Sequence, residues 1–204
     1  MSIVLASASP RRKELLEMLG VSDLKVIPAT GEETAPEGAG PEEMVMAISS
    51  AKAMEVSKLC DRSDVVIAAD TIVWHHGRVY GKPHSRQEAI EMLESLSGDT
   101  HQVFTGVTVM HNGHLDVQSE MSRVSFRQLT RQEIERYVDT GEPMDKAGAY
   151  GAQGKGSLFV RGIYGDFFNV MGLPVSTLSS MLKKHFGTDA LELSFALKGE
   201  ENEF

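Results

Sequence analysis

The chain has few cysteines, no long apolar run and a deficit of positive charge, and each shortage excludes a class of protein. Cys60 is the only cysteine among 204 residues, so no internal disulfide can form, which fits a reducing cytoplasm. No apolar run reaches the roughly 20 residues of a membrane-spanning helix, and no signal-like segment follows Met1. The formal net charge of -9 does not suit wrapping of a nucleic acid, which requires a broad basic face. We expect a cytoplasmic protein with neither a membrane nor a nucleic acid partner.

What remains is the composition of an ordinary globular protein, long enough to bury a full core. Strand-like and helix-like patterns alternate along the chain and include two hairpins, which predicts an α/β fold around a mixed β-sheet. We predict a single domain over residues 1–187 and a C-terminal extension over residues 188–204. Alternating apolar residues over positions 191–197 predict an added strand in that extension.

The N-terminal segment predicts a strand, a tight loop and a helix. Residues 3–6 are apolar, Ser9 is a candidate hydroxyl cap, and Pro10 suits a first helical position. Residues 11–13 are Arg, Arg and Lys, which places three cations at the positive end of the helix dipole. Either this turn is a solvated basic segment, or an anion such as phosphate docks on its free backbone N–H groups.

Asp70 interrupts the most apolar run of the sequence. Residues 65–74 predict a central strand that is buried on both faces. An ionised carboxylate inside such a strand is costly unless it is paired, hydrogen-bonded or bound to a metal. Asp70 is therefore the best candidate for chemistry, and the alternative is a buried aspartate held by backbone amides or an arginine.

Two other charged positions leave alternatives open. A helix is predicted from Pro41 to about residue 59, and Lys52 falls in the middle of its apolar stripe. Its ammonium must either reach solvent along the stem or meet an anion near the core. Glu32 and Glu33 lie in a Gly- and Pro-rich loop over residues 29–40, where paired acids are usually solvated.

A predicted hairpin follows the central strand. His75 and His76 are adjacent in its turn, where neighbouring side chains point in different directions and no third ligand is evident, so we expect surface histidines instead of a metal site. The returning strand carries Lys82 towards the level of Asp70, and Gly81 permits close backbone approach.

The rest of the chain is predicted to form structural elements without a chemical role, together with one glycine-rich loop. The predicted scaffold comprises capping boxes at Ser85/Glu88 and Thr130/Glu133, an Asn112-Gly113 hairpin, a strand pair over residues 158–163 and 166–171, and a helix from Pro174 to Gly187. Residues 142–156 contain several glycines together with Gln153, which is typical of a loop that presses against a ligand, although the spacing matches no dinucleotide or P-loop signature.

Four segments of the chain resemble the Maf family of nucleoside triphosphate pyrophosphatases. Residues 7–12 match its Ser-x-Ser-Pro-Arg-Arg loop, and the likeness continues through residues 69–71, 81–83 and 141–154. The resemblance implies a mixed sheet flanked by helices in two lobes with a deep cleft, as in ITPase-like proteins, and a tendency to form homodimers. It also implies metal-dependent cleavage between the α and β phosphates of a nucleoside triphosphate.

The same resemblance implies roles for individual residues. Asp70 would accept a proton from the attacking water or hold a Mg²⁺ or Mn²⁺ ion, and Glu33 would assist at that metal. Arg12, Lys52 and Lys82 would neutralise the charge of the triphosphate. Ser7 would donate a hydrogen bond to it from its hydroxyl group.

Three positions bear on the substrate. Arg11, Thr71 and Gln153 match the members that act on dTTP and UTP, whereas the 7-methyl-GTP subfamily differs at all three. A glutamine amide can donate and accept, which suits the O4 and N3–H edge of uracil or thymine. The alternatives are a 7-methyl-GTP pyrophosphatase and a non-catalytic nucleotide-binding regulator linked to septum formation.

Overall fold

The structure is a computed structural model that describes residues 1–21 and 23–187. Within these residues the chain alternates strands and helices. The strands are β1 (Ile3–Leu5), β2 (Lys25–Val26), β3 (Val65–His75), β4 (Arg78–Tyr80), β5 (Thr100–His111), β6 (His114–Phe126) and β7 (Val160–Tyr164). The helices are α1 (Pro10–Met18), α2 (Pro41–Ser57), α3 (Arg86–Leu96), α4 (Arg131–Val138), α5 (Phe167–Met171) and α6 (Val175–Phe186). The predicted C-terminal extension and its strand lie outside the described residues.

One mixed sheet contains all of these strands, in the order β2-β1-β3-β5-β6-β7, with β4 paired to β3. Strand β1 is parallel to both β2 and β3, whereas β4 is antiparallel to β3 and β7 is antiparallel to β6. The central strand β3 is mostly apolar and mostly buried, as its composition predicts. The predicted α/β class with a mixed sheet is confirmed.

The chain divides into two compact units. Among the described residues, unit 1 comprises Met1–Asp70, Thr105–Glu120 and residues 172–187, and unit 2 comprises Thr71–Phe104 and Met121–Met171. Each unit has its own apolar cluster. The cluster of unit 1 draws on β1, α2 and β3 (Val4, Ala6, Ala53, Val56, Val66 and Ala68), and that of unit 2 includes Ile90, Leu93, Leu96, Phe126 and Ile134.

Close contact between α2 and β5 sets the position of α2 within unit 1. A Cβ atom added at Gly106 of β5 would collide with the backbone of Val45 and Met46 in α2. Thr108, two residues further along β5, donates a hydrogen bond from its Oγ1 to Ser49 Oγ of α2 at 2.9 Å. Helix α2 therefore lies directly against the strand.

Both predicted capping boxes lie at helix starts, but only that of Thr130 and Glu133 is reciprocal, because the Glu88 carboxylate accepts from His84 N, and the predicted side-chain cap of α1 is absent. Ser85 Oγ accepts a hydrogen bond from Glu88 N at 3.1 Å, and Thr130 forms a reciprocal box with Glu133. Ser9 makes no side-chain cap. The backbone N–H of Ser9 donates a hydrogen bond to Ser7 Oγ.

The strand predicted over residues 166–171 is also wrong. These residues form α5, and Asp166 Oδ1 accepts a hydrogen bond from Phe168 N at 2.7 Å, so the aspartate acts as a helix cap. Only the first half of the predicted pair is a strand, β7, and it pairs with β6. None of the helices within the described residues has the length and apolar character required to cross a bilayer.

Candidate active site

The loop between β1 and α1 is held by Ser7 and Arg12. Ser7 is buried, and its Oγ accepts hydrogen bonds from Ser9 N at 3.2 Å and from Arg12 Nη1 at 3.0 Å. Arg12 Nε also donates to the carbonyl oxygen of Gly172 at 2.7 Å. Because a hydroxyl has one hydrogen and two acceptor positions, Ser7 retains its hydrogen for a further acceptor such as a phosphate oxygen.

Three charged residues of unit 1 lie within electrostatic range of Arg12: Arg11, Glu33 and Asp70. Burial lowers the pKa of the Arg12 guanidinium, and the nearby cation Arg11 lowers it further. The carboxylates of Asp70 and Glu33 oppose that shift. The first turn of α1 contains no acidic residue, so the compensating charges come from β3 and from the loop that precedes α2.

Lys52 joins the two carboxylates. Its Nζ lies 2.7 Å from Asp70 Oδ1 and 2.7 Å from Glu33 Oε1. The Lys52 side chain is 14% exposed and that of Asp70 is 9% exposed, whereas Glu33 is 55% exposed. The lysine in the apolar stripe of α2 therefore meets anions near the core instead of extending its ammonium into solvent.

This arrangement has the composition of a site for a metal-bound polyphosphate. The Asp70 and Glu33 oxygens that contact Lys52 are at most twice 2.7 Å apart, because both lie on one nitrogen. Carboxylate oxygens are the ligands that Mg²⁺ and Mn²⁺ prefer, and Mg²⁺ commonly binds one or two carboxylates together with substrate phosphates. The two carboxylates are thus of the type that such an ion binds, and the neighbouring cations suit its anionic ligand.

The other three predicted site residues belong to unit 2. Thr71 is half-buried and directly follows Asp70, whereas Lys82 and Gln153 are exposed. A hydrogen bond from Gly148 N to the carbonyl oxygen of Gly81, 3.1 Å long, connects the glycine-rich segment to the residue before Lys82. The roles of these three residues stay predictions.

Glu142 has a structural role that the sequence does not reveal. Its carboxylate accepts hydrogen bonds from Lys155 N at 3.0 Å, from Gly156 N at 3.2 Å and from Tyr137 Oη at 3.0 Å. Burial acts to raise the pKa of Glu142, but these hydrogen bonds outweigh it and the pKa is lowered. Glu142 thus fixes the loop that carries Gln153, and no spacing rule would have identified it.

The expectation of two surface histidines is correct for His76 and wrong for His75. The His75 side chain is 2% exposed, because it ends strand β3 against the core of unit 2, whereas that of His76 is 73% exposed.

A family model described as Maf-like protein matches residues 2–185. The chain belongs to the Maf family. This Maf chain is 47% identical over 191 residues to a dTTP/UTP pyrophosphatase of Pelotomaculum thermopropionicum, across 93% of this chain and 98% of the relative. It is also 47% identical over 183 residues to a dTTP/UTP pyrophosphatase of Bacillus anthracis, across 89% of this chain and 94% of the relative.

Among solved structures, this Maf chain is similar to a HAM1 protein from Coxiella burnetii, with a TM-score of 0.47 and 17% identity over 90% of this chain and 99% of that one. A likeness at this level carries no argument about function. The family assignment rests on the family model and on the relatives in sequence, which are named dTTP/UTP pyrophosphatases.

Proposed function

We propose that this chain hydrolyses dTTP and UTP to the nucleoside monophosphate and pyrophosphate. One structural observation carries the proposal: Lys52 Nζ contacts both Asp70 and Glu33 at 2.7 Å, beside the guanidinium of Arg12. The names of the relatives, dTTP/UTP pyrophosphatase, supply the substrate class. Phosphoryl chemistry of this kind depends mainly on positioning and charge neutralisation, which such a cluster provides.

In the proposed reaction, a water oxygen forms a bond to the α phosphorus, and the bond between that phosphorus and the oxygen that bridges it to the β phosphorus breaks. The water proton passes to a base, and pyrophosphate leaves with the electron pair of the broken bond. Asp70 is the proposed proton acceptor, with the alternative that it holds the metal ion that activates the water. A carboxylate suits both roles.

We also propose dependence on a divalent cation, Mg²⁺ or Mn²⁺, held by Asp70 and Glu33. When bound, such an ion would neutralise negative charge on the phosphates and polarise the P–O bonds of the group under attack. In this proposal three side chains also neutralise phosphate charge: Arg12 and Lys52 of unit 1 and Lys82 of unit 2. Ser7 donates its hydroxyl hydrogen to a phosphate oxygen in this proposal.

We propose that Arg11, Thr71 and Gln153 select the pyrimidine. The Gln153 amide can accept from N3–H and donate to O4 of uracil or thymine, and its exposure in the glycine-rich loop leaves it accessible to a base. The 7-methyl-GTP activity remains the alternative, and the names of the relatives favour dTTP and UTP.

The test is Asp70→Asn, which preserves shape and removes the charge and the base. We expect pyrophosphate release from dTTP and UTP to fall by about 10²–10⁴-fold, the usual contribution of a general base. Asp64→Asn is the matched control, since Asp64 is also a buried carboxylate of unit 1 and accepts a hydrogen bond from Ser2 N at 2.7 Å. Near-normal turnover by a folded Asp70→Asn variant would remove Asp70 from this role.

A non-catalytic nucleotide-binding regulator linked to septum formation is the competing proposal. It predicts nucleotide binding without pyrophosphate release in the same assay. We further propose a cytoplasmic homodimer, the state that the family resemblance implies, which light scattering of the purified chain would test.

A further inference from the structure

Three potential metal ligands meet in unit 2, at the end of strand β3 and in the segment before β5. In the part of the chain that the structure describes, ligand atoms of His75, His76 and Asp99 all lie within 4.8 Å of one another. Asp99 Oδ2 is 3.1 Å from His75 Nε2 and 2.9 Å from His76 Nε2. Asp99 follows α3 and is the third ligand that the sequence alone did not reveal.

The turn conformation explains how two adjacent histidines can face one carboxylate. Consecutive residues of a regular strand point to opposite faces. His76 leaves the strand with φ at +48° and is followed by Gly77 at +76°, so both residues of the two-residue β3–β4 turn are left-handed. Few non-glycine residues adopt this conformation, and its cost often marks a functional position. As a result, the two imidazole centroids lie 4.0 Å apart.

Two of the three ligand separations suit a tetrahedral ion, and the third, between the two imidazole ligand atoms, is within 4.8 Å. Two ligand atoms about 2.0 Å from a tetrahedral centre are about 3.3 Å apart, close to the observed nitrogen–oxygen separations. Two imidazole nitrogens and one carboxylate oxygen form a donor set typical of Zn²⁺, with solvent in the fourth position. Such a set is poorly suited to Mg²⁺, which prefers oxygen ligands.

The groups behind the ligands also support a metal site. His75 Nδ1 is 3.4 Å from Ser95 Oγ, which in turn lies 2.9 Å from Tyr80 Oη. Asp99 Oδ1 accepts a hydrogen bond from Thr100 N at 2.7 Å. Ligating histidines commonly donate their second ring N–H to such a partner, which fixes the ring and its tautomer. The Asp99 side chain is 47% exposed and His76 is more exposed still, so an ion can enter from solvent.

We propose that His75, His76 and Asp99 form a Zn²⁺ site that ties the β3–β4 turn to the segment preceding β5. The site is separate from the proposed nucleotide chemistry and uses a different class of metal. Its role is to stabilise unit 2, because an ion that binds the folded state alone adds to the free energy of unfolding.

The experiment is a Zn²⁺ titration of the metal-free protein against a chromogenic chelator, with millimolar Mg²⁺ present to occupy carboxylate-rich sites. We expect one equivalent of Zn²⁺ per chain. His76→Ala and Asp99→Asn should each weaken binding by at least about tenfold, since even the loss of a supporting partner costs 10–100-fold. His114→Ala is the matched control, because His114 is an exposed histidine beside the other hairpin turn.

Two further measurements distinguish this site from others. Zn²⁺ binding should persist in Asp70→Asn and in Cys60→Ser, so loss in either variant would place the ion elsewhere and overturn the proposal. Co²⁺ should give the visible absorption of a four-coordinate site, and His76→Ala should abolish it. Absence of Zn²⁺ binding by the unmodified chain, or equal binding by His76→Ala, would also overturn the proposal.

Discussion

The buried charges of Lys52 and Asp70 each depend on the other. Both side chains are largely withdrawn from solvent and meet at 2.7 Å. The attraction between two such charges offsets the cost of removing them from water, and removal of one partner leaves the other with weaker compensation, Asp70 with the guanidinium of Arg12 and Lys52 with the exposed Glu33. The pair is thus a structural element as well as a candidate for chemistry.

We predict that Lys52→Met lowers the free energy of unfolding by about 3–5 kcal/mol, as for other broken buried pairs. Adding Asp70→Asn should recover much of that loss, because the double variant removes both members of the pair. Urea unfolding of the four proteins measures the coupling. Lys25→Met is the control: Lys25 is 55% exposed and 3.9 Å from Asp64, so its loss should cost less than about 1 kcal/mol. Additive effects of the two core substitutions would contradict the account.

The need of Asp70 and Lys52 for a charged or polar partner could be predicted from the sequence, because each is a charged residue inside an apolar pattern. The contact from Arg12 Nε to the Gly172 carbonyl could not, since it joins a side chain to the backbone of a residue 160 positions away. Asp99 was missed for a similar reason, because its approach to His75 depends on the fold and leaves no local pattern.

At the scale of elements, helix α2 carries Lys52, and its place depends on Gly106 of β5. We predict that Gly106→Ala lowers the free energy of unfolding by about 1–3 kcal/mol, because the new methyl group would overlap the α2 backbone at Val45. Displacement of α2 should also reduce pyrophosphate release. Thermal unfolding and turnover measure the two effects.

Gly162→Ala is the control for that substitution. Gly162 also lies in a strand, β7, and a Cβ atom added there meets nothing within 4 Å. A Gly106→Ala protein as stable and active as Gly162→Ala would show that α2 does not need this close contact.

Helices with local start signals were the easiest elements to predict. The boxes at Ser85 and Thr130 involve residues three positions apart, so the sequence contains both partners. Helix α5 was mistaken for a strand because five mostly apolar residues are too few to show a helical period. Its start depends on Asp166, whose capping role was not recognised.

At the scale of the whole molecule, an acidic chain is expected to bind a polyanion through a few local cations. The net charge is -9, yet Arg12 and Lys52 both lie close enough to Asp70 and Glu33 to interact with them electrostatically. Such a distribution suits a compact triphosphate with a divalent ion better than an extended nucleic acid. The preference for a compact triphosphate over a nucleic acid was predicted from the composition. The contacts among the segments that carry Arg12, Lys52 and Asp70 depend on the fold.

The most direct test of the central claim is pyrophosphate release from dTTP, UTP and 7-methyl-GTP by the unmodified chain in Mg²⁺ or Mn²⁺. We predict formation of the monophosphate and pyrophosphate, with kcat/KM for dTTP and UTP at least about tenfold above that for 7-methyl-GTP, because the predicted base contacts fit only the pyrimidine. Release of orthophosphate instead, a preference for 7-methyl-GTP, or binding of all three nucleotides without turnover would contradict the account.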